Sequence, residues 1–416
     1  MRARGAVRGI GARLGLFLAI LGPGVITANV DNDAGGITTY SQAGSRYGLA
    51  TLWIFLPLCL ALIVVQEMSN RMGVVSGKGL SDLIRERFGV KITFYLMAGL
   101  LVTNFGNILA EFAGVAAAGE IFGVPRWVAV PIAALFVWAI VLRSSYRTVE
   151  KVFLVACTFY ISYIVAGAVS HPPAGEVAHA LLVPHLQGDA DYLIMLIALV
   201  GTTIAPWMQF YQQAAVVEKN IRVEDYYLSR IDTIVGCLSV TVVAVFIVVV
   251  CSTNLHAQGM RIESAADAAR GLAPIAGRYA SLLFAFGLLN ASVFAASILP
   301  LSTSYTICES FGWESGISRS FDEAREFYIL YTALIAIGAG AVLIPKISLL
   351  GVMYVSQVVN GMVLPIVLVF MLILITDRRI MGERTNSLAY NIACILLCAA
   401  LAVLAIGSAV LVLIGK

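Results

Sequence analysis

The sequence predicts an all-α polytopic membrane protein: eleven transmembrane helices in an inverted 5+5 repeat, with helices one and six broken. Three observations predict it. Of 416 residues, 60% are hydrophobic and only 12% are charged, against roughly a quarter charged in a soluble domain. Apolar runs long enough to cross a bilayer, about 18 residues or more, recur along almost the whole chain. Two of these runs, the first and the sixth, are interrupted, at Asn29-Val-Asp-Asn-Asp-Ala-Gly-Gly36 and at Gly201-Thr-Thr-Ile-Ala-Pro-Trp207.

The first run spans 14–46. Its interruption places Asp31 and Asp33 mid-span, followed by two glycines. Ionisable groups at that depth are costly, and irregular backbone is tolerated there only inside protein or against a wet cavity. The pattern reads as a broken helix that presents Asp33 and freed carbonyls to a cation. The segment before it carries Arg2, Arg4, Arg8 and Arg13 but no small-residue cleavage site, so it is expected to be retained rather than removed as a signal peptide.

The next spans are expected at 49–74, 92–122, 127–142 and 151–170. The sixth, 190–218, is broken at Pro206, which lacks a backbone donor and clashes with the preceding turn. Spans at 229–252, 279–308, 326–344 and 347–375 follow, and an additional helix at 387–414 completes a single membrane domain over 1–416. The two breaks take the same place in halves of five helices, about 14–170 and 190–375. An odd repeat length turns the halves opposite ways in the membrane. Interrupted helices in corresponding places point to a midplane transport site between helices one and six.

Charge gives the orientation. Of 27 Lys and Arg, twenty fall on the N-terminal side of the membrane and seven on the other. The bias puts the N-terminus in the cytoplasm and the C-terminus outside. The net charge of +3 follows loops rather than a face and gives no footprint for nucleic acid. Seven cysteines, an odd count, lie in or beside apolar segments without a Cys-x-x-Cys, which argues against a disulfide framework or thiolate metal site. No nucleophile–base constellation or His-Glu-x-x-His occurs, so no enzyme activity is expected.

The motifs reach a resemblance. Gly22-Pro-Gly-Val, Asp33-Ala-Gly-Gly36 and Gln42-Ala-Gly44 are similar to the first helix of Nramp divalent-metal transporters. So are Leu52-Trp53, Val65-Gln-Glu-Met-Ser-Asn-Arg-Met-Gly-Val-Val-Ser-Gly77, Ala110-Glu111 and Phe122-Gly-Val-Pro125. The likeness continues at Ser356-Gln-Val-Val-Asn-Gly-Met-Val-Leu-Pro365 and Asp377-Arg-Arg-Ile-Met-Gly382. It covers nearly the whole chain and implies a LeuT-type fold with alternating access to one metal site.

The departures are informative. The family's Asp-Pro-Gly-Asn reads Asp33-Ala34-Gly35-Gly36 here, so the acid stays and the asparagine is lost. Its Met-Pro-His reads Ala205-Pro206-Trp207; a further histidine falls on Gln212, and a helix-three aspartate on Ile108, while Glu111 remains. These changes resemble the Nramp-related magnesium transporters. The chemistry agrees: thioether ligands select softer metals, whereas Mg²⁺ wants oxygens and gives up water reluctantly.

The resemblance implies a metal site formed by Asp33, Gly36, Thr202, Ala205, Gln357 and Val30, with backbone carbonyls near Thr202 and Val30. Asp31 and Asn32 either add outer-shell contacts or cap a half-helix. Trp207 packs the wall of the site, and Asn360 either shares the face of Gln357 or bonds between helices. Glu111 and Gln212 are remnants of a proton route. The expected function is secondary transport of Mg²⁺, and also Mn²⁺, without proton coupling, in a prokaryotic inner membrane. The metal is the substrate. No cofactor, nucleic acid or obligate protein partner is expected beyond the lipid bilayer. The alternatives are a proton-coupled Mn²⁺/Fe²⁺ transporter and a non-transporting Nramp-like sensor. A sodium-coupled amino-acid symporter would share the fold, but acids at the break would repel its carboxylate substrate.

Overall fold

The computed structural model describes residues 22–143, 151–161 except 153 and 156, 164–165, 172–262, 267–268, 280–345 and 347–413. The basic N-terminus, the start of the first span and parts of the span expected at 151–170 lie outside the described residues. Every regular element among the described residues is helical. In order, the helices are α1 (Pro23–Val30), α2 (Ala34–Tyr47), α3 (Phe55–Ser76), α4 (Leu80–Phe88), α5 (Val90–Ile121) and α6 (Arg126–Arg143). There follow α7 (Ala174–Leu182), α8 (Ala190–Thr203), α9 (Pro206–Glu218), α10 (Tyr226–Asn254) and α11 (Ala280–Phe311). The last are α12 (Arg325–Val342), α13 (Leu349–Thr376), α14 (Arg378–Met381) and α15 (Leu388–Leu413). Among the described residues, seven segments are long and apolar enough to cross a membrane, and α6 and α15 contribute shorter apolar helices.

Both expected breaks are present. After α1 the chain makes two tight turns, with Asp31 N donating to Ala28 O and Asn32 N to Asn29 O. It restarts at Asp33, whose extended backbone and side chain form the N-cap of α2. In the sixth span Ile204 leaves helical geometry, Ala205 is extended, and Pro206 opens α9. Proline at a first helical position gives up an N–H that would be orphaned anyway. Pro131, Pro300 and Pro365 sit inside α6, α11 and α13 without ending them. Location, not proline alone, makes the break.

The two broken pairs occupy the centre. Every residue from Ala34 to Ser45 is buried, although this stretch is rich in Thr, Ser and Gln that would be poorly solvated by lipid. α10 lies along α1, α2 and α3; α11 runs along α5; α13 packs on α8 and α5; and α15 covers α8 and α13. Backbones meet at glycines. A Cβ at Gly24 would stand 2.5 Å from the Thr233 backbone, and one at Gly236 would stand 2.5 Å from Gly24 O. Small residues allow such approach where helix association depends on packing rather than hydrophobicity.

Three short helices escape a hydropathy reading. α4 buries Leu80, Leu83 and Ile84 while presenting Asp82, Arg85, Glu86 and Arg87 on its other side. α7 buries nothing, and α14 is a single turn.

The α1–α10 contact gives a test. Gly236→Val overpacks the contact and is expected to destabilise by about 1–3 kcal/mol, lowering the unfolding temperature in detergent. Gly340→Ala, where an added Cβ meets nothing within 4 Å, should leave that temperature unchanged or raise it. Scanning fluorimetry of both variants checks the contrast.

Candidate metal site at the paired helix breaks

The site grows from the first turn of α2. Asp33 Oδ1 accepts from Gly36 N at 2.6 Å, and Glu111 Oε2 on α5 accepts from Ala34 N at 3.2 Å. Two carboxyl groups thus serve one helix N-terminus, whose orphaned N–H groups and dipole favour negative charge. Asp33 is 3% exposed and Glu111 fully buried. The two carboxyl groups lie close enough to interact electrostatically.

Three oxygens crowd the face of Gly36 where a side chain would stand. A Cβ built there would lie 2.5 Å from the Asp31 carbonyl oxygen, 3.1 Å from Thr202 Oγ1 and 3.3 Å from Asp33 Oδ1. One point is therefore lined by the end of α1, the start of α2 and the end of α8. Thr202 Oγ1, Asp31 Oδ2, Glu111 Oε1 and both amide atoms of Asn32 are buried without a hydrogen-bond partner among the described residues. Buried polar groups normally find partners, and a cation with its remaining water suits the oxygens of this set. One turn further, the Tyr40 hydroxyl and Thr203 Oγ1 are 3.1 Å apart and close the seam between α2 and α8.

The other expected residues fall around this point in different ways. Val30 is the buried last residue of α1, but the carbonyl at the cradle is that of Asp31. Ala205 is buried at the N-cap of α9 and offers no side-chain ligand. Gln357 rests on α2, with its Nε2 only 1.9 Å from where a Gly35 Cβ would be. Its Oε1 accepts from Asn360 Nδ2 at 2.9 Å. Asn360 and Asn107 exchange two 3.0 Å hydrogen bonds between α13 and α5. Asn360 thus does both things the sequence left open.

Trp207 is 1% exposed and packs its ring 6.3 Å, centroid to centroid, from Tyr211. Gln212 lies away from the cradle and donates to Thr233 Oγ1 at 3.3 Å, in a cluster with Asn70 and Ser229. Ile108 packs against α12, its Cγ2 2.6 Å from where a Gly338 Cβ would be.

Sequence reasoning missed Asn107, Tyr40 and Asp232. The Asp232 carboxylate on α10 accepts from Gly22 N at 3.2 Å, Gly24 N at 2.7 Å and Val25 N at 3.3 Å, capping α1 from outside. Its signal was available: an ionisable residue in a membrane span is a functional or structural marker by default.

Two substitutions test the cradle. Asp33→Ala removes its charge and should abolish Mn²⁺ binding by the purified protein. Gly36→Ala intrudes on the Asp31 carbonyl and should weaken binding by about tenfold or more, a loss near 1.4 kcal/mol. Isothermal titration, with size-exclusion profiles to confirm folding, reads both. Unchanged Gly36→Ala affinity would remove the cradle from the site.

Comparison with known proteins identifies the family. The profile of the family described as Nramp, natural resistance-associated macrophage protein-like, matches residues 24–411. The chain is 30% identical over 396 residues, 89% of its length and 86% of the relative's, to the divalent metal cation transporter MntH of Ralstonia nicotianae. Its fold is similar to the Eremococcus coleocola manganese transporter, with TM-score 0.75, 20% identity, and 93% and 85% of the two chains covered. It is also similar to MhsT crystallised with L-phenylalanine, with TM-score 0.57, 12% identity, and 92% and 98% covered. The architecture is therefore LeuT-type, and the chain belongs to the Nramp family.

Proposed function

We propose that this protein is a secondary transporter that moves divalent metal ions, Mg²⁺ and also Mn²⁺, by alternating access, without obligatory proton coupling. The observation that carries the reading is the oxygen cradle of Asp31 O, Thr202 Oγ1 and Asp33 Oδ1 around Gly36. The relatives, a divalent metal cation transporter and a manganese transporter, support divalent metal as the substrate class. Oxygen donors suit Mg²⁺ and Mn²⁺, and a sulfur ligand that would favour softer ions is replaced by Ala205.

In this reading the ion leaves the substrate site chemically unchanged, and the protein's task is access. The cradle is closed off by burial of Asp33, Thr202 and Asn32. Entry and release then require the half-helices to move alternately, while α5 and α13 hold the ladder that supports Gln357. The positive-inside bias supports a cytoplasmic N-terminus and an outer C-terminus, in a prokaryotic inner membrane on this reading. The inverted halves, 14–170 and 190–375, supply the two gates of a single membrane domain.

Selectivity follows from what stands beside the cradle. Ala205→Met combined with Gly36→Asn adds a sulfur and fills the space, so it should weaken Mg²⁺ uptake and favour Mn²⁺ or Cd²⁺. Flux of Mg²⁺ and Mn²⁺ in proteoliposomes, parent against variant, is the measurement. A parent that carries Mn²⁺ but no Mg²⁺ would overturn the magnesium reading. A protein that binds metal but moves none would be a sensor.

One observation favours a second reading. Glu111 adjoins Asp33, and a buried carboxyl neighbour is a proton acceptor that a proton-coupled Mn²⁺/Fe²⁺ transporter would use. Against it, Trp207, Gln212 and Ile108 cannot exchange protons where the family carries two histidines and an aspartate. Metal uptake into liposomes is expected to proceed without stoichiometric acidification of the lumen, followed with a trapped pH dye. Acidification in proportion to uptake would restore the second reading.

A further inference from the structure

At the end of the molecule where α3 finishes and α15 begins, arginines gather around two tyrosines. Arg71 Nη2 is 3.2 Å from Glu67 Oε2. Arg71 also donates to Arg384 O at 3.2 Å, Thr385 O at 3.3 Å and the Asn386 side chain. Arg71 lies over the Tyr390 ring at 5.7 Å, and Arg384 over the Tyr226 ring at 5.5 Å. Arg230 Nη2 donates to the Tyr390 hydroxyl at 3.2 Å. Tyr226 hydrogen-bonds Glu67.

The accounting leaves positive charge over. Within this cluster Glu67 is the carboxylate that hydrogen-bonds and pairs, while three guanidiniums surround it; Glu383 is exposed beside Arg384. Arg71 Nε and Arg230 Nε are buried N–H donors without an acceptor among the described residues. Arginine forks match phosphate oxygens.

An apolar groove of about 450 Å³ leads to this cluster. Ala61 and Val64 of α3 face Ala393, Cys394, Leu397 and Ala400 of α15 across it. Its continuation is read from contacts: Val64, Met68 and Arg71 lie along one stripe of α3. Met68 Sδ is 3.7 Å from Cys394 Sγ and 3.2 Å from Asn386 Nδ2. From Val64 to Arg71 is about 10 Å along the helix. Leu60 and Leu396 beside the groove are 67% and 64% exposed, so the groove faces the bilayer.

We propose that this groove and arginine cluster form a binding site for an anionic phospholipid, with an acyl chain between α3 and α15 and the phosphate at Arg71, Arg230 and Arg384. Basic pockets between helices at the membrane surface recognise such headgroups. A bound lipid would join α3 and α10 to the turn before α15.

The test uses the full-length protein, delipidated in detergent, with native mass spectrometry as readout. Dioleoyl phosphatidylglycerol is expected to bind about tenfold more tightly than dioleoyl phosphatidylcholine, a difference near 1.4 kcal/mol. Arg230→Gln with Arg384→Gln should bring that ratio close to one. Ala61→Phe with Ala393→Phe should expel both lipids, because these lipid-facing positions fill the groove without touching the arginines. If the double arginine variant does not fold, Arg384→Gln alone keeps the test, since its guanidinium only covers Tyr226, and it should lower the ratio. Equal binding of the two lipids, or a preference that survives the arginine variants, overturns the proposal. So does inorganic phosphate that displaces phosphatidylglycerol at millimolar concentration, because the site would then be one for a free anion.

Discussion

A helix that stops inside a bilayer leaves N–H and carbonyl groups that no water can receive, and this structure is arranged around meeting that need at the Asp31–Asp33 break. Asp232 reaches from α10 to take three N–H groups at the start of α1. Asp33 and Glu111 take those at the start of α2, and Pro206 removes one at the start of α9. A buried polar group left without a partner costs about 1–3 kcal/mol, so the surrounding helices are not optional packing. They are the solvent of the break.

The same arrangement sets the strength of the site. Asp33 faces the cradle with one oxygen already engaged by Gly36 N, at the positive end of α2. Its attraction for a cation is therefore tempered. The Asp31 carbonyl, from the negative end of α1, adds partial charge from the opposite side. In the proposed reading, carboxylate and carbonyl oxygens whose charge is partly engaged by the protein suit release of an ion as well as its capture. Gly36 is the pivot of this balance, because any side chain there meets the oxygens before the ion does.

Around the cradle, polar ladders and glycine contacts do different work. Gln357, Asn360 and Asn107 link α13 to α5 through side chains, and Gln212, Thr233, Asn70 and Ser229 link α9, α10 and α3. Each bond of this kind between membrane helices is modest, on the order of 1 kcal/mol. The glycines admit backbones closely enough for those short side chains to reach one another. Arginine appears instead at the rim, where the α3–α10–α15 cluster meets the membrane surface.

The sequence by itself determined the membrane class, the order of the described spans within a few residues, and the two breaks, because apolar run length and interruption are local properties of the chain. It also marked Asp33, Gly36, Thr202 and Gln357 as one neighbourhood by resemblance. What it could not determine was which oxygens converge. The Asp31 carbonyl stands against Gly36 because the turn after α1 aims it there. Asp232 serves α1 across more than 200 residues of sequence. Gln212 of α9 donates to Thr233 of α10. Such pairings depend on the rotation of each helix about its axis and on side-chain direction. Hydropathy carries neither, and only the packed bundle decides them.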